Sequence, residues 1–450
     1  MTAATWTAAP GRRMPPLWLL RLLRLLPLVA TVLLPAAPLP AASGAGSAVA
    51  PADIASAVLV VWCTAEVLRR RSRPLTPAAA AVFGLPVVGF AVATLTAADP
   101  QGAVPGFVRY LQVFVLVPVA VVLLLRDARD FRIVAGGLVL LALAQGAVGS
   151  HQYATGTGAS YMGENIRAVG TFGPTDVMGM ATVVSYGLLA ALALALRTPP
   201  DAPVWLKPCA LAAAAVLVVP LALSFSRGSW IATAFAAVAV TALTGLRQAV
   251  RVLAAVAALG VVLVGGLGIG SEMISERVSS ITRVTDAPDR SVGDRYAMWA
   301  AAAGMWREEP AAGVGLKGFP AHRDGHASIG LSSGSDTAGA GREFEKQPLL
   351  SPHNMYLLVL GEQGLIGLTA FAGSLAALLV LGVRRLVRAG RAGGAGGAER
   401  AADCGLVAVG LMLWQTVDFL YADIGGPSTA LTGVVVGLAA WWALGRAASA

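Results

Sequence analysis

Leu350-Ser351-Pro352-His353-Asn354-Met355-Tyr356 closes the only long stretch in the second half of the chain that cannot live in a bilayer. That stretch begins at Gly270; on both sides of it the sequence is apolar. Ser351 reads as a helix N-cap and Pro352 as the first helical residue. This predicts His353 in the first turn of a membrane helix, at the water boundary. The helix dipole there disfavours an imidazolium, so His353 is expected to be neutral and able to accept a proton.

Outward from this point the chain is a succession of apolar runs. Hydrophobic residues make up 56% of the 450 and charged ones 13%, about half the charged share of an average soluble protein. Runs of about 18 or more apolar residues recur along nearly the whole length, continuous rather than alternating, which selects helices over a barrel. The expected fold is an all-α polytopic membrane protein of about twelve transmembrane helices. Their intervals lie near 17–38, 47–68, 78–97, 107–125, 131–150, 174–196, 205–223, 229–246, 249–270, 353–383, 403–421 and 427–445. Residues 1–270 then carry about nine spans, 271–352 a long loop with short helices, and 353–450 about three spans. The first interval is interrupted by Arg21 and Arg24 and resembles a signal peptide.

The basic residues orient the chain. Arg12, Arg13, Arg21 and Arg24 share a side with Arg69-Arg70-Arg71 and Arg73, with Arg126, Arg129 and Arg132, and with Arg197, Lys207, Arg247 and Arg251. Arg384, Arg385, Arg388, Arg391, Arg400 and Arg446 complete that side. By the positive-inside rule it is cytoplasmic, which puts both termini inside and the loop 271–352 outside. The net charge of +9 is therefore an orientation signal, and no nucleic-acid partner is expected; membrane lipids are. Cys63, Cys209 and Cys404 are scattered and define neither a disulfide framework nor a ligand set.

Three short outer connections break the rule with one arginine each: Arg109, Arg167 and Arg227. An arginine near hydrocarbon costs about 2.5–3.5 kcal/mol on insertion scales, so a partner is expected. Snorkelling to the headgroups is the bland alternative for each. Ser224-Phe225-Ser226-Arg227-Gly228-Ser229-Trp230 joins capping serines, a tight turn and a guanidinium at a helix start, where an anion can bind; a capped hairpin is the structural reading. Arg167-Ala168-Val169-Gly170-Thr171-Phe172-Gly173-Pro174-Thr175-Asp176 leads into the sixth span, and a loop-to-helix cap suffices to explain it. Gly293-Asp294-Arg295 is expected to open a short helix ending before Pro310, with Asp294 as N-cap and Arg295, Trp299, Ala302 and Trp306 on one face. Residues 324–347, rich in Gly and Ser, read as a mobile insertion.

His322-Arg323-Asp324-Gly325-His326 offers two histidines and a carboxylate to a metal, but it has no third strong ligand nearby and a competing arginine. No metal and no other cofactor is expected. Asp418 and Asp423, at the outer end of the eleventh span, fit either a sugar contact or a water-boundary residue.

Taken in order, Arg-x-x-Gly-Thr-Phe (167–172), Ser-Arg-Gly-Ser-Trp (226–230) and Gly-Asp-Arg-x-x-Met-Trp (293–299) form a series. Pro-x-x-Gly-Val-Gly (310–315), His-Asn-x-Tyr-Leu (353–357) and Glu-x-Gly-Leu-Ile-Gly (362–367) continue it. The series resembles the O-antigen ligase / O-antigen polymerase superfamily of bacterial membrane glycosyltransferases. That resemblance implies transfer of a glycan from an undecaprenyl-diphosphate carrier to a hydroxyl acceptor outside the cytoplasmic (inner) membrane, without metal or nucleotide. It implies His353 as general base and Arg227 and Arg295 as diphosphate clamps, with Arg167, Asn354 and Tyr356 as further substrate-binding candidates. The implied partners are a lipid-linked glycan donor and a saccharide, lipid or protein acceptor. Two departures stand out: Asp176 in place of an asparagine after Gly-Thr-Phe, and the 324–347 insertion.

The chemistry agrees with that assignment on its own terms. A base must strip the acceptor hydroxyl, and cations must neutralise the departing diphosphate; arginine stays charged and grips phosphate in a bidentate fork. A bound diphosphate raises the His353 pKa while the helix dipole lowers it. The rival reading is a transporter or flippase of lipid-linked or anionic substrates, which calls for a midplane site on broken helices. A scaffold subunit is the third, and it predicts tolerance to change at the arginines and the histidine.

Overall fold

The computed structural model describes residues 17–37, 50–70, 75–161, 165–176, 178–199, 201–261, 290–327, 331, 335–338, 345–347, 349–391 and 401–445. Fifteen α-helices run through these segments, and four strands of three or four residues form one small sheet. Ten of them precede the described part of the loop: α1 (Leu17–Leu33), α2 (Pro51–Arg70), α3 (Pro77–Leu95), α4 (Pro100–Leu111), α5 (Val117–Leu124), α6 (Ala128–Thr155), α7 (Gly179–Leu196), α8 (Leu206–Leu223), α9 (Arg227–Ala242) and α10 (Leu246–Val261). Then follow α11 (Arg290–Glu308), α12 (Phe319–His326), α13 (Met355–Arg391), α14 (Ala402–Asp418) and α15 (Thr429–Leu444).

Seven helices among the described residues are long and apolar enough to cross a membrane: Pro51–Arg69, Pro77–Leu95, Pro100–Leu124 (α4 and α5 joined by a π-turn), Ala128–Thr155, Gly179–Leu196, Leu206–Leu223 and Met355–Arg391. They make the chain a multi-pass membrane protein. The other five expected intervals hold the shorter helices α1, α9, α10, α14 and α15. Length and apolarity therefore establish seven spans where about twelve were expected.

The helices start where the sequence offers caps. Thr76, Asp99, Asp127 and Ser226 each accept an N–H three residues on, at the starts of α3, α4, α6 and α9. The helix α7 is buried along nearly its whole length. Small residues allow the close approaches around it: a Cβ on Gly187 would strike Ala142 of α6, and one on Gly146 would stand 2.8 Å from Pro220 of α8. Two apolar clusters result. One joins α1, α2, α5–α9 and the end of α13 to α14 and α15, and the other joins α3, α4, α11, α12 and α13 to the other faces of α14 and α15.

The first helix is an integral part of the bundle. Leu25, Leu28 and Val32 are fully buried, Arg24 pairs with the buried Asp130, and Arg21 reaches Asp127 at 2.7 Å and Asp130 at 3.5 Å. Arg132 holds Asp403 at 2.6 and 2.9 Å, and Arg385 donates to the Trp442 and Gly445 carbonyls at 2.6 Å each. Four of the arginines assigned to one side, Arg21, Arg24, Arg132 and Arg385, thus find carboxylate or carbonyl partners within the bundle. Asp130 depends on these partners, because a buried charge left alone costs several kcal/mol. Arg24→Ala is expected to destabilise the protein by about 3–5 kcal/mol, read as a lower midpoint in thermal unfolding of the detergent-solubilised protein. An unchanged midpoint would mean that Arg21 alone suffices.

The helix α11 starts at Arg290, so Asp294 lies inside the helix and is buried, not its N-cap as expected. Met298, Ala301, Ala302 and Met305 are fully buried at the spacing of one helical face, and Gly361 of α13 closes against Ala302. Asp294 and Ala297 are buried too and continue that face upstream, so Asp294 packs as a helix residue instead of capping. The 324–347 segment, expected to be a mobile insertion, is in its described parts the end of α12 and two paired strands. Residues 335–338 (β3) pair with 345–347 (β4) and, through Ser160↔Ala338 and Tyr161↔Thr337, with 159–161 (β1), which pairs with 165–167 (β2). All pairings are antiparallel.

Candidate active site

The helix α13 begins at Met355, three residues later than Ser351 and Pro352 suggested. Asn354 is the N-cap: its Oδ1 accepts the Leu357 N–H at 3.0 Å, while its Nδ2 donates to the Leu420 carbonyl at 3.1 Å. Asparagine outcompetes serine here because it caps the helix and reaches a second element at once. His353 accordingly sits outside the first turn, at φ 49°, with its N–H donated to Ser351 Oγ at 3.4 Å. A left-handed conformation costs a non-glycine residue about 1–3 kcal/mol and is held only by its surroundings. Phe225 (φ 49°) and Lys317 (φ 65°) are the other two such residues described, and both lie at this end of the bundle.

The start of α13 is sewn to the connection between α14 and α15. The Met355 N–H donates to the Phe419 and Ala422 carbonyls at 2.8 and 3.1 Å, and the Tyr356 hydroxyl donates to the Thr416 carbonyl at 2.9 Å. The Tyr356 ring stands against Phe371 and Phe419. Trp299 of α11 donates from Nε1 to the Pro352 carbonyl at 2.9 Å. Together these bonds bring three distant parts of the chain around His353: α11 with Arg295, the residue after Ala422, which is Asp423, and α13 itself.

His353 is half-buried, and burial holds its pKa below the ordinary imidazole value. The Asp423 carboxylate acts the other way and Arg295 reinforces the lowering, so both charges lie within reach of the ring. Arg295 is half-buried too and also acts on Asp418, which is buried and lies within reach of Asp423 and Asp176. The site is thus a histidine and an arginine among carboxylates.

The second expected arginine, Arg227, opens α9 behind the Ser226 cap. Its turn is braced by Arg167, whose Nε and Nη2 donate to the Ser224 and Phe225 carbonyls at 3.1 and 3.4 Å, and by Trp230 Nε1 to the Leu221 carbonyl at 2.8 Å. A Cβ on Gly228 would stand 3.0 Å from Tyr421, so the Arg227 turn abuts the same α14–α15 connection that carries Asp423. Arg109 pairs with Asp53, touches Gln112 at 3.3 Å and reaches the Gly426 carbonyl at 3.5 Å. Of the expected substrate residues, His353 and Arg295 come together. Arg167, Asn354 and Tyr356 direct described hydrogen bonds to the backbone that shapes the site.

Below His353, α13 is broken. Gly364 takes φ 61°, and residues 310–318 fill the gap: Val314 and Gly315 donate to the Gly361 and Glu362 carbonyls, and Leu365 and Ile366 donate to the Pro310 and Ala311 carbonyls, all at 2.9–3.1 Å. Non-helical backbone inside a membrane protein survives only when its polar groups are met in this way. A Cβ on Gly364 would strike the Ala311 carbonyl, and one on Gly313 would strike Glu362 and Gln363, which explains the glycines of both motifs.

His322 and His326 are drawn apart, Nδ1 of the first to the Gly318 carbonyl at 2.9 Å and Nε2 of the second to Glu308 at 3.3 Å. Arg323 takes Asp324. Among the described residues no three metal-ligating side chains come together. From the sequence Asp423 fits either a sugar contact or a water-boundary residue, and a partnership with His353 is not read from it. Its signal was an aspartate in a short polar turn, Ala422-Asp423-Ile424-Gly425-Gly426-Pro427, between two apolar helices.

A multi-span helical membrane protein with a histidine and an arginine among carboxylates at one end of the bundle is the class that fold and site define. Residues 212–372 match the O-antigen ligase family model, and this domain supports membership of the O-antigen ligase superfamily. The match runs from α8 through the Arg227 turn, α11 and His353 to the far side of the α13 break. No curated protein matches the chain.

Proposed function

We propose that this protein is a glycosyltransferase of the O-antigen ligase or polysaccharide polymerase type, acting at the outer face of the cytoplasmic membrane. Its donor is a glycan on an undecaprenyl-diphosphate-type carrier, and its acceptor is a hydroxyl group. His353 takes the proton of that hydroxyl while the oxygen attacks the anomeric carbon from the face opposite the diphosphate. The bond from that carbon to the diphosphate oxygen breaks, inverting the centre, and the electron pair leaves with the diphosphate, whose charge Arg295 and Arg227 meet. Asp423 stabilises the imidazolium formed in the same step. The convergence of His353, Arg295 and Asp423 from separate parts of the chain supports this reading most directly. The broken helix would suit a transporter, but here the gap is filled by the chain's own 310–318 segment.

The pH dependence tests it. A base whose pKa is lowered by burial stays unprotonated below the usual imidazole range, so kcat/KM is expected to hold there and fall only at lower pH. Asp423→Asn removes the charge that raises the His353 pKa. The acid limb should move to still lower pH while maximal turnover drops, because the imidazolium loses its partner. The measurement is glycan transfer in proteoliposomes across pH; a limb that moves to higher pH, or not at all, contradicts the pairing. Added chelator is expected to leave turnover unchanged.

A further inference from the structure

The turn that carries Asp423 is held from behind by a residue that the reaction itself does not use. Asp176 Oδ2 accepts the Ser428 N–H at 3.0 Å, one residue before α15 begins, and the same carboxylate accepts from the Gly179 N–H, the first residue of α7. One carboxylate thus serves two helix starts, where N–H groups lack intrahelical partners and negative charge is favoured. Gly426, at φ 69°, lies flat against Asp176; a Cβ there would stand 2.5 Å from the Asp176 Cβ. Arg109, paired with Asp53 on α2, reaches the Gly426 carbonyl at 3.5 Å. On its other side the same connection is tied to Asn354, Met355 and Tyr356 by the bonds given above. Asp423 therefore lies on a short chain segment anchored at 416–422 to the His353 helix and at 426–428 to Asp176.

We propose that Asp176 is a positioning residue, with Arg109 as its support: by fixing the Gly426–Ser428 turn it holds Asp423 beside His353 and Tyr421 against the Arg227 turn. This rests on Asp423 being the partner of His353 in the reading above. It accounts for the aspartate at a position where the motif led us to expect asparagine, since either side chain offers an oxygen to Ser428 and Gly179. Its place behind the turn, rather than in the mouth of the site, separates it from substrate contact. Burial raises the Asp176 pKa against the pull of those hydrogen bonds, so a neutral side chain at this position is no handicap.

The test reads His353 directly, without relying on turnover. The chain has four histidines, so the ring of His353 can be followed by NMR of ¹³C-histidine-labelled protein in detergent, assigned by His353→Asn. Asp423→Asn should lower the His353 pKa. Asp176→Ala should lower it in the same direction, Asp176→Asn should leave it at the wild-type value, and Asp176→Ala/Asp423→Asn should add nothing beyond Asp423→Asn. Glycan transfer should follow the same order, with Asp176→Asn close to wild type and Asp176→Ala reduced about tenfold or more. If Asp176→Ala does not fold, Gly426→Ala, which forces a Cβ into Asp176, takes its place with the same expectation. A His353 titration unmoved by Asp176→Ala or Gly426→Ala, while Asp423→Asn moves it, overturns the positioning role. A titration unmoved by Asp423→Asn overturns it as well. Normal titrations with no transfer by any acceptor would instead strike at the proposed reaction alone.

Discussion

His353→Ala is expected to lower glycan transfer about 10²–10⁴-fold, the range that a positioned general base contributes. The loss should fall on turnover and not on donor binding, because the diphosphate is assigned to the arginines. One alternative cause has to be separated. His353 adopts φ 49°, and alanine tolerates that conformation poorly, so the α13 start could shift. His353→Asn removes the base but keeps a residue that enters the left-handed region more readily. Both variants should be inactive if the imidazole matters, whereas recovery in the asparagine variant would reduce His353 to a backbone role. Transfer from extracted lipid-diphosphate glycans in proteoliposomes, with donor binding measured alongside, decides between them. A transporter would keep its flux in either variant.

Arg295→Ala should be nearly as damaging, about 10²–10³-fold, the usual effect of deleting one group that meets developing charge. Arg295 reaches the site only because α11 packs Met298, Ala301, Ala302 and Met305 against α13 and pins Trp299 to the Pro352 carbonyl. It also stands among Asp418 and Asp423, so its removal leaves buried negative charge uncompensated and should weaken donor binding further. Arg295→Lys keeps the charge but loses the planar fork, and an intermediate loss is expected. The kinetic signature is a fall in kcat with a rise in the donor KM, in contrast to His353→Asn, where KM should hold. Wild-type kinetics in Arg295→Ala would take this residue out of the diphosphate site and leave Arg227 as the remaining clamp.

The same two residues show what a sequence reading singles out and where it stops. His353 stands out because it closes the long non-apolar stretch, and Arg295 because it belongs to a short Gly-Asp-Arg motif inside that stretch. The start of α13 was misplaced for a local reason: Ser351-Pro352 is a sound cap signal, but Asn354 caps equally well and is also bonded to Leu420, a contact between residues 66 apart. Asp423 was legible as a sugar contact or a boundary residue, and not as a partner of His353. Its meaning depends on the Met355 N–H meeting the Phe419 and Ala422 carbonyls, and no spacing in the chain reveals that pairing. Arg167 shows the same limit, since its spacing gives no sign that it braces the turn in front of Arg227.

The sequence by itself determined that this is a helical membrane protein and which short motifs break the apolar pattern. Those properties are local: hydropathy, caps and glycines act over one or two helical turns, and the bilayer enforces them segment by segment. Only the tertiary structure decided which motifs face one another. The gap in α13 is filled by 310–318, Asp176 joins the starts of α7 and α15, and Asp423 is delivered to His353 from the far end of the chain. Such contacts arise from side-chain volumes and hydrogen-bond satisfaction between helices remote in sequence. A polar group in a dry interior must find a partner wherever the fold brings one.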